Sequence, residues 1–290
     1  MTENTLFLGI DGGGTKCKVR LENGNGQQLA EATSGPANIA TSTTQAQSSI
    51  LNATMTALTN AQLPTNALAN LHVYAGFAGA NIHNAIATMA QWQHPFADFT
   101  FTTDIHIACA GAHQGQDGGV IILGTGFCAG LLKNGQCNEF GGYGLLLSDG
   151  ASGGWIGLNL VKTAIEVLDK LSPTSTLIEA FLNQVKCQHT EQLVALTLHA
   201  PPCYFAQFAR LVFTYPNDPY AKHILSSAAH FVERYIKQLQ DLGVDKVALI
   251  GGVAVPIRSW IHRNYQSSLV TPAMTPEAAA AQLARRQFFT

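Results

Sequence analysis

The chain is poor in charge. Only 12% of its 290 residues are Asp, Glu, Lys or Arg, and 16 basic against 18 acidic side chains leave a formal net charge of −2. It has no basic run and no interleaving of basic with aromatic residues, the pattern that neutralises a phosphate backbone, so nucleic acid is not an expected partner. It also lacks any run of the roughly 20 apolar residues needed to span a bilayer. Its opening, "MTENTLFLGID", has no basic n-region and no long apolar stretch. The expectation is a cytoplasmic protein with no membrane partner. Cysteine is sparse and unpaired in spacing: Cys17, Cys109, Cys128, Cys137, Cys187 and Cys203 form no CxxC, which in a reducing compartment predicts buried thiols rather than disulfides. Apolar residues are plentiful. At 47% hydrophobic, a chain of this length can bury one large core or two ordinary ones.

One pattern occurs twice. Residues 5–10 read as a strand, 11–15 as a glycine-rich turn, 16–22 as a second strand, and "ENGNGQ" turns the chain into a third, "QQLAEAT". From Gly118 the order repeats: "GGVIIL", then "GTG", then "FCAGLLK", an Asn134-Gly135 turn and "QCNEFGG". Asn-Gly between alternating segments is a strong hairpin signal, so the two units predict a duplicated fold. Between them "LHVYAGFAGA" and "FTFTTD" read as buried strands, each leading into a helix, which predicts a parallel portion of sheet.

Residues 155–242 read as mostly helical. Ile224, Leu225, Ala228, Phe231, Val232, Tyr235, Ile236, Leu239 and Leu242 recur at helical spacing as a core stripe. A strand "KVALI", a Gly251-Gly252 turn and a helix follow. Thr275-Pro276 opens a last alanine-rich helix with a polar cap and proline at its first position. No low-complexity linker separates the halves, which places any hinge at "HQGQDGG", residues 113–119.

Glycine-rich turns expose backbone N–H groups and let a phosphate approach closely because no Cβ intervenes. Here the glycines join strand to strand. That excludes the Walker A loop and the dinucleotide fingerprint, both of which open a helix.

"LGIDGGGTKCKV", "LGTGFCAGLL" and "ALIGGVA" resemble the phosphate 1, phosphate 2 and adenosine motifs of the sugar kinase, Hsp70 and actin superfamily. The chain is similar, more narrowly, to the BadF/BadG/BcrA/BcrD ATPase group with its glucosamine and N-acetylglucosamine kinases. The resemblance runs from about residue 5 to 288. It implies an α/β protein of two duplicated actin-like, ribonuclease H-like domains with mixed sheets and a cleft between them for ATP and sugar. The first would be residues 1–115 with the last helix, 273–290, packed back on it; the second would be 116–272 with a helical insertion. It further implies a kinase using ATP and Mg²⁺ to phosphorylate an amino sugar at its 6-hydroxyl, glucosamine first and N-acetylglucosamine as the alternative, with a homodimer in view. An ATPase activator holding an iron–sulfur cluster through Cys128, and a sugar-binding protein without catalysis, are the other readings.

Chemistry places the residues. Phosphoryl transfer needs positioning and charge neutralisation more than covalent help. Asp11, at a strand end beside the glycines, suits Mg²⁺ through water, with a turn-capping Asp as the alternative. Gly12, Gly13, Gly14, Thr15 and Lys16 would lie along the β- and γ-phosphates, Thr125 and Gly126 would close on them, and Gly251 and Gly252 would lie against adenosine. Asp104, directly after a strand in an α/β domain, is the expected general base for the attacking hydroxyl, with a helix cap as its alternative. His106, Cys109 and His113 share a helical face without a fourth metal ligand. By resemblance Asn38, Gly79, Tyr143 and Asp149 would meet the sugar. The sequence departs from the family at three places. Phe127 replaces the usual Ser after GTG, Gly150-Ala151 stands within the D-[EQ]-G-S segment, and Tyr143-Gly144 ends the GGWG segment.

Overall fold

The computed structural model describes residues 5–289. Residues 1–4, within the opening read above for a leader, and residue 290, the last of the expected closing helix, lie outside the described residues. In chain order, the strands and helices are β1 (Leu6–Gly12), β2 (Cys17–Asn23), β3 (Gln28–Ser34), α1 (Thr43–Asn60), β4 (Leu71–Phe77), α2 (His83–Ala90), β5 (Asp98–Thr103) and α3 (Asp104–His113). Then come β6 (Gly118–Leu123), β7 (Phe127–Lys133) and β8 (Gln136–Phe140). The helical stretch contains α4 (Gly153–Leu168), α5 (Thr176–Val185), α6 (Thr190–Thr197), α7 (Pro202–Ala206), α8 (Ala209–Thr214) and α9 (Pro219–Asp241). The chain closes with β9 (Val247–Ile250), α10 (Ala254–Ile257), α11 (Arg263–Gln266), β10 (Leu269–Val270) and α12 (Pro276–Phe288). Among the described residues no helix is long and apolar enough to cross a membrane.

The chain divides into two compact units, one of Met1–Gly118, Leu132–Cys137 and Pro272–Thr290, the other of Gly119–Leu131 and Asn138–Thr271. In the first, the sheet order is β3-β2-β1-β4-β5, antiparallel through β1, β2 and β3 and parallel through β1, β4 and β5. The second sheet has the corresponding order, β8-β7-β6-β9-β10, again with parallel strands on the far side of its first strand. The duplicated α/β fold with mixed sheets is therefore present. Within the first unit, the tip of the β7–β8 hairpin is tied by Asn134 N–H to Asp117 Oδ1 at 2.9 Å.

Each unit has its own core. In the first, Phe7, Leu8, Ile10, Val19 and Leu21 are fully buried in the β1–β2 pair. In the second, the α9 stripe contributes Ile224, Leu225, Ala228, Val232, Ile236 and Leu239, while Leu242, past the helix end, is exposed. Two expectations need correction. β5 lies at the sheet edge and is only half-buried, because nothing pairs with its outer side within that sheet. The six cysteines form no disulfide among the described residues, but only Cys17, Cys109 and Cys187 are buried, and Cys203 is exposed.

Helix α12 packs on β1, β4 and α3. Proline stands at its start as read, but Thr275 makes no side-chain cap bond. The close fit comes from small residues. A Cβ at Gly9 would stand 2.0 Å from Glu277 O and 2.3 Å from Ala281 N, so the strand meets the helix backbone directly. Backbone cannot yield as a flexible side chain can. Gly9→Ala is expected to cost roughly 1–3 kcal/mol by forcing the helix outward, read as a fall in the midpoint of denaturant unfolding; an unchanged midpoint would show that the helix gives way freely.

Candidate active site

In the first unit β1 ends inside the glycine stretch. Gly12 is the last strand residue, and the turn is closed by Gly13 N–H donating to Lys16 O at 2.9 Å. The four predicted loop residues differ from Gly12 in their surroundings. A Cβ at Gly12 would strike the Phe77 ring at 2.3 Å, so its lack of a side chain serves packing, whereas a Cβ at Gly14 would meet nothing within 4 Å. Gly14, Thr15 and Lys16 are exposed.

Backbone hydrogen bonds bring two other segments to this loop. Ala37 N–H donates to Gly13 O and Ala78 N–H to Gly12 O, both at 2.9 Å, and Ile39 N–H donates to Ala78 O at 3.1 Å. Asn38 and Gly79 are thereby neighbours of the β1 loop and of each other: a Cβ on Gly79 would lie 2.7 Å from Asn38 Oδ1. That oxygen already accepts the N–H groups of Ala40 and Thr41 at 2.9 and 3.1 Å. This is the self-bonded Asn turn, and it leaves the amide N–H₂ as the end through which Asn38 can donate to a ligand.

Asp104 is the first residue of α3, at the same end of the sheet. Register aligns Asp11 with Gly76 and Gly76 with Thr102, so β1, β4 and β5 finish together. With neighbouring strands ~4.8 Å apart, β1 and β5 stand on the order of 10 Å from each other, room for a reacting hydroxyl and a phosphoryl group. The N-cap is Thr103, whose hydroxyl accepts His106 N–H at 3.3 Å, so that alternative does not describe Asp104; its Oδ1 accepts Ile105 N–H at 3.0 Å.

Asp11 shares one face of the sheet with Glu277 and Lys18, and Lys16 of the adjoining turn also acts on its charge. Burial, with the Glu277 carboxylate adding to it, raises the Asp11 carboxyl to about 6, against the pull of Lys18 and Lys16. Glu277 is 4% exposed and reaches Lys18 Nζ at 3.9 Å. Neither Glu277 nor Lys18 was singled out in the sequence. A lone acid in the first turn of a helix reads as a partner for the helix dipole, and nothing local points it at Asp11.

The second unit repeats the arrangement. Gly124 N–H donates to Gly126 O at 3.0 Å, and the carbonyls of Gly124 and Thr125 accept the N–H groups of Gly153 and Gly154 at 2.8 and 3.0 Å. The β6–β7 loop is thus set against the start of α4. Gly251, with φ of +110°, fits because a Cβ there would lie 2.4 Å from Leu123 O. A Cβ at Gly252 would meet nothing within 4 Å. The two glycine turns meet at the end of β6.

Asp149 is 7% exposed, and burial raises its carboxyl against the hydrogen bonds it accepts from Gly144 N–H, the Ser148 hydroxyl and Phe127 N–H. Its Oδ2 would lie 2.8 Å from a Cβ on Gly126. It therefore ties the 141–149 loop to the β6–β7 turn, while Tyr143, 68% exposed, stands on that loop with its N–H on Ser148 Oγ. Two of the family departures, at positions 127 and 150, have a packing reason. Phe127 is buried against Phe231 and Tyr235, and Phe231 fills the space that any side chain at position 150 would need. Ala151 takes a φ of +62°. Cys128 directs its thiol at the Ala129 and Phe140 carbonyls.

Two five-stranded sheets of matching order, each with a glycine turn after its first strand, define an actin-like, duplicated α/β protein. The family profile of the BadF/BadG/BcrA/BcrD ATPases matches residues 8–284. Over 268 residues the chain is 34% identical to glucosamine kinase GspK of Vibrio cholerae, covering 92% of this chain and 91% of that one. It is 26% identical over 265 residues to the N-acetyl-D-glucosamine kinase of Dictyostelium discoideum, covering 83% and 81%. A Chromobacterium violaceum structure, solved as that of a candidate N-acetylglucosamine kinase, matches at a TM-score of 0.90 and 28% identity, covering 97% of this chain and 99% of the other. The chain belongs to the BadF/BadG/BcrA/BcrD ATPase family.

Proposed function

We propose that the protein is an ATP-dependent amino sugar kinase that transfers the γ-phosphoryl group to the 6-hydroxyl of glucosamine. Membership of an ATPase family whose relatives include amino sugar kinases supports the reaction class. The observation that carries the choice of sugar is the 34% identity to the Vibrio cholerae glucosamine kinase across nearly the whole chain.

The residues divide the work. Asp104 accepts the hydroxyl proton as the oxygen attacks, which a carboxylate can do only within hydrogen-bond reach of that hydroxyl. The N–H groups of Gly14 and Thr15, with the Lys16 ammonium, bind phosphate oxygens; Gly13 keeps the turn closed through its bond to Lys16 O, and Gly12 acts beneath them as a packing residue. Thr125 and Gly126 are phosphate-binding residues of the second unit, and Gly251 and Gly252 take the adenosine. Asn38 donates to a sugar oxygen beside Gly79. Tyr143 contacts the sugar from the loop that Asp149 holds.

The Asp11 region fits a hard divalent cation. Its donors are carboxylate oxygens, and one of them, Glu277 Oε2, is buried without a hydrogen-bond partner among the described residues. Asp11 would hold Mg²⁺, which when bound neutralises phosphate charge.

A free 2-amine, protonated at neutral pH, needs acceptors, whereas an acetamide needs an apolar niche for its methyl group and partners for its amide. A coupled assay of ADP release over glucosamine, N-acetylglucosamine, glucose and no sugar tests the reading. The expected kcat/KM for glucosamine is at least about tenfold above that for N-acetylglucosamine, or about 1.4 kcal/mol in transition-state binding. Reversed values would favour the N-acetylglucosamine reading, and ADP release indifferent to sugar would end the kinase reading. A product NMR spectrum reads the position phosphorylated.

A further inference from the structure

We infer that Glu277, on the last helix, is a positioning residue for the cation seat at Asp11, supplying the second carboxylate that completes the seat when a divalent ion arrives with nucleotide. The inference rests on the kinase reading above and deepens it.

Three observations place Glu277 there. Side chains two residues apart on a strand share a face, and Gly9 shows which element covers that face at β1: a Cβ on it would touch Glu277 O and Ala281 N. Asp11, two residues on, therefore points toward the first turns of α12. Lys18 lies directly opposite Asp11 on β2, where cross-strand neighbours also share a face, and its Nζ reaches Glu277 Oε1 at 3.9 Å. Two carboxylates and the Lys18 ammonium thus meet under the glycine turn, and Lys16 of that turn also acts on the Asp11 charge.

Glu277 is held firmly in this position. The far end of α12 is fixed by Arg285, which pairs with Glu22 at 3.1 Å, and Glu22 also takes Arg20 at 2.7 Å. The near end lies against Gly111 of α3, where a Cβ would come 3.1 Å from Met274 O, Thr275 O and Ala279 Cβ. Glu277 is buried, yet among the described residues its Oε2 has no hydrogen-bond partner. An ionised carboxylate only accepts, and leaving a buried acceptor unmet costs free energy. Complementing the helix dipole needs no such burial, since an exposed acid in the first turn does that equally well. The unmet oxygen, on a carboxylate whose charge acts on Asp11, is explained if its partner is a cation, or a water bound to one, that comes with the nucleotide.

The probe is Mn²⁺, followed by the loss of its free EPR signal on titration into the full-length protein saturated with ADP. Glu277→Gln is expected to raise the Mn²⁺ dissociation constant at least tenfold, Glu277→Asp by no more than about threefold, and neither should change ADP affinity in EDTA. Lys18→Met removes the compensating positive charge and is expected to tighten Mn²⁺ binding several-fold, a gain that damaged folding cannot produce. Wild-type Mn²⁺ affinity in Glu277→Gln overturns the inference. So does a loss of ADP affinity in EDTA, which would mark Glu277 as a purely structural residue, or an unchanged or weakened Mn²⁺ affinity in Lys18→Met. If the wild-type protein with ADP holds no Mn²⁺, the kinase reading falls and this inference with it.

Discussion

Asp104→Asn is expected to lower kcat by roughly 10²–10⁴ while the KM for the sugar stays within a small factor. The amide can still hydrogen-bond the incoming hydroxyl, so ground-state binding survives, but it cannot take the proton as the oxygen attacks phosphorus. The structure makes this a clean substitution. Helix α3 is capped by Thr103, whose hydroxyl accepts His106 N–H, and the bond that Asp104 Oδ1 accepts from Ile105 N–H can be kept by the asparagine oxygen. Unfolding by denaturant should therefore differ little from wild type. Near wild-type turnover would remove Asp104 from the chemistry, and an equal rise in KM would make it a binding residue.

Asp11→Asn should separate stability from activity. The Asp11 carboxyl rises from 3.8 to about 6 on folding, through burial first and the Glu277 charge second. For an acid whose pKa is raised in the folded state, the folded form is favoured while the group is protonated. That advantage is complete below about pH 4 and is lost as pH climbs through 6. The shift corresponds to about 3 kcal/mol at neutral pH. Without Mg²⁺, Asp11→Asn should consequently melt several degrees above wild type at pH 7.5, by calorimetry, with the difference fading toward pH 4. The same variant should need at least about tenfold more Mg²⁺ for half-maximal turnover, since a neutral amide is a poor partner for a hard dication. A variant less stable than wild type at pH 7.5 would mean that Asp11's charge is already compensated in the fold. An unchanged Mg²⁺ titration would make Asp11 a turn residue.

What could be read along the chain was whatever depends on neighbours in sequence. The strand–glycine–strand repeat, the Asn134-Gly135 hairpin and the α9 stripe are local patterns, and the matching sheets contain them. Asp11 and Asp104 stood out because each follows a run of strand-forming residues, and strand ends are where ligands meet α/β sheets. The different jobs within the glycine stretch were not readable. Gly12 packs on Phe77, a residue brought beside it by the parallel pairing of β1 with β4, while Gly14 stands open. The roles at position 150 and of Asp149 were hidden similarly, since Phe231 on α9 and the amides of Gly144 and Phe127 become their surroundings only on folding.

The sequence by itself determined the duplicated α/β plan, the two glycine turns and the carboxylates at the strand ends, because backbone freedom, side-chain alternation and turn chemistry act over a few residues. Only the tertiary structure decided the electrostatic setting of Asp11. Glu277 joins it from the other end of the chain because Gly9 lets α12 lie directly on β1. A buried charge takes its properties from whatever stands within a few ångströms, and sequence separation carries no information about that distance.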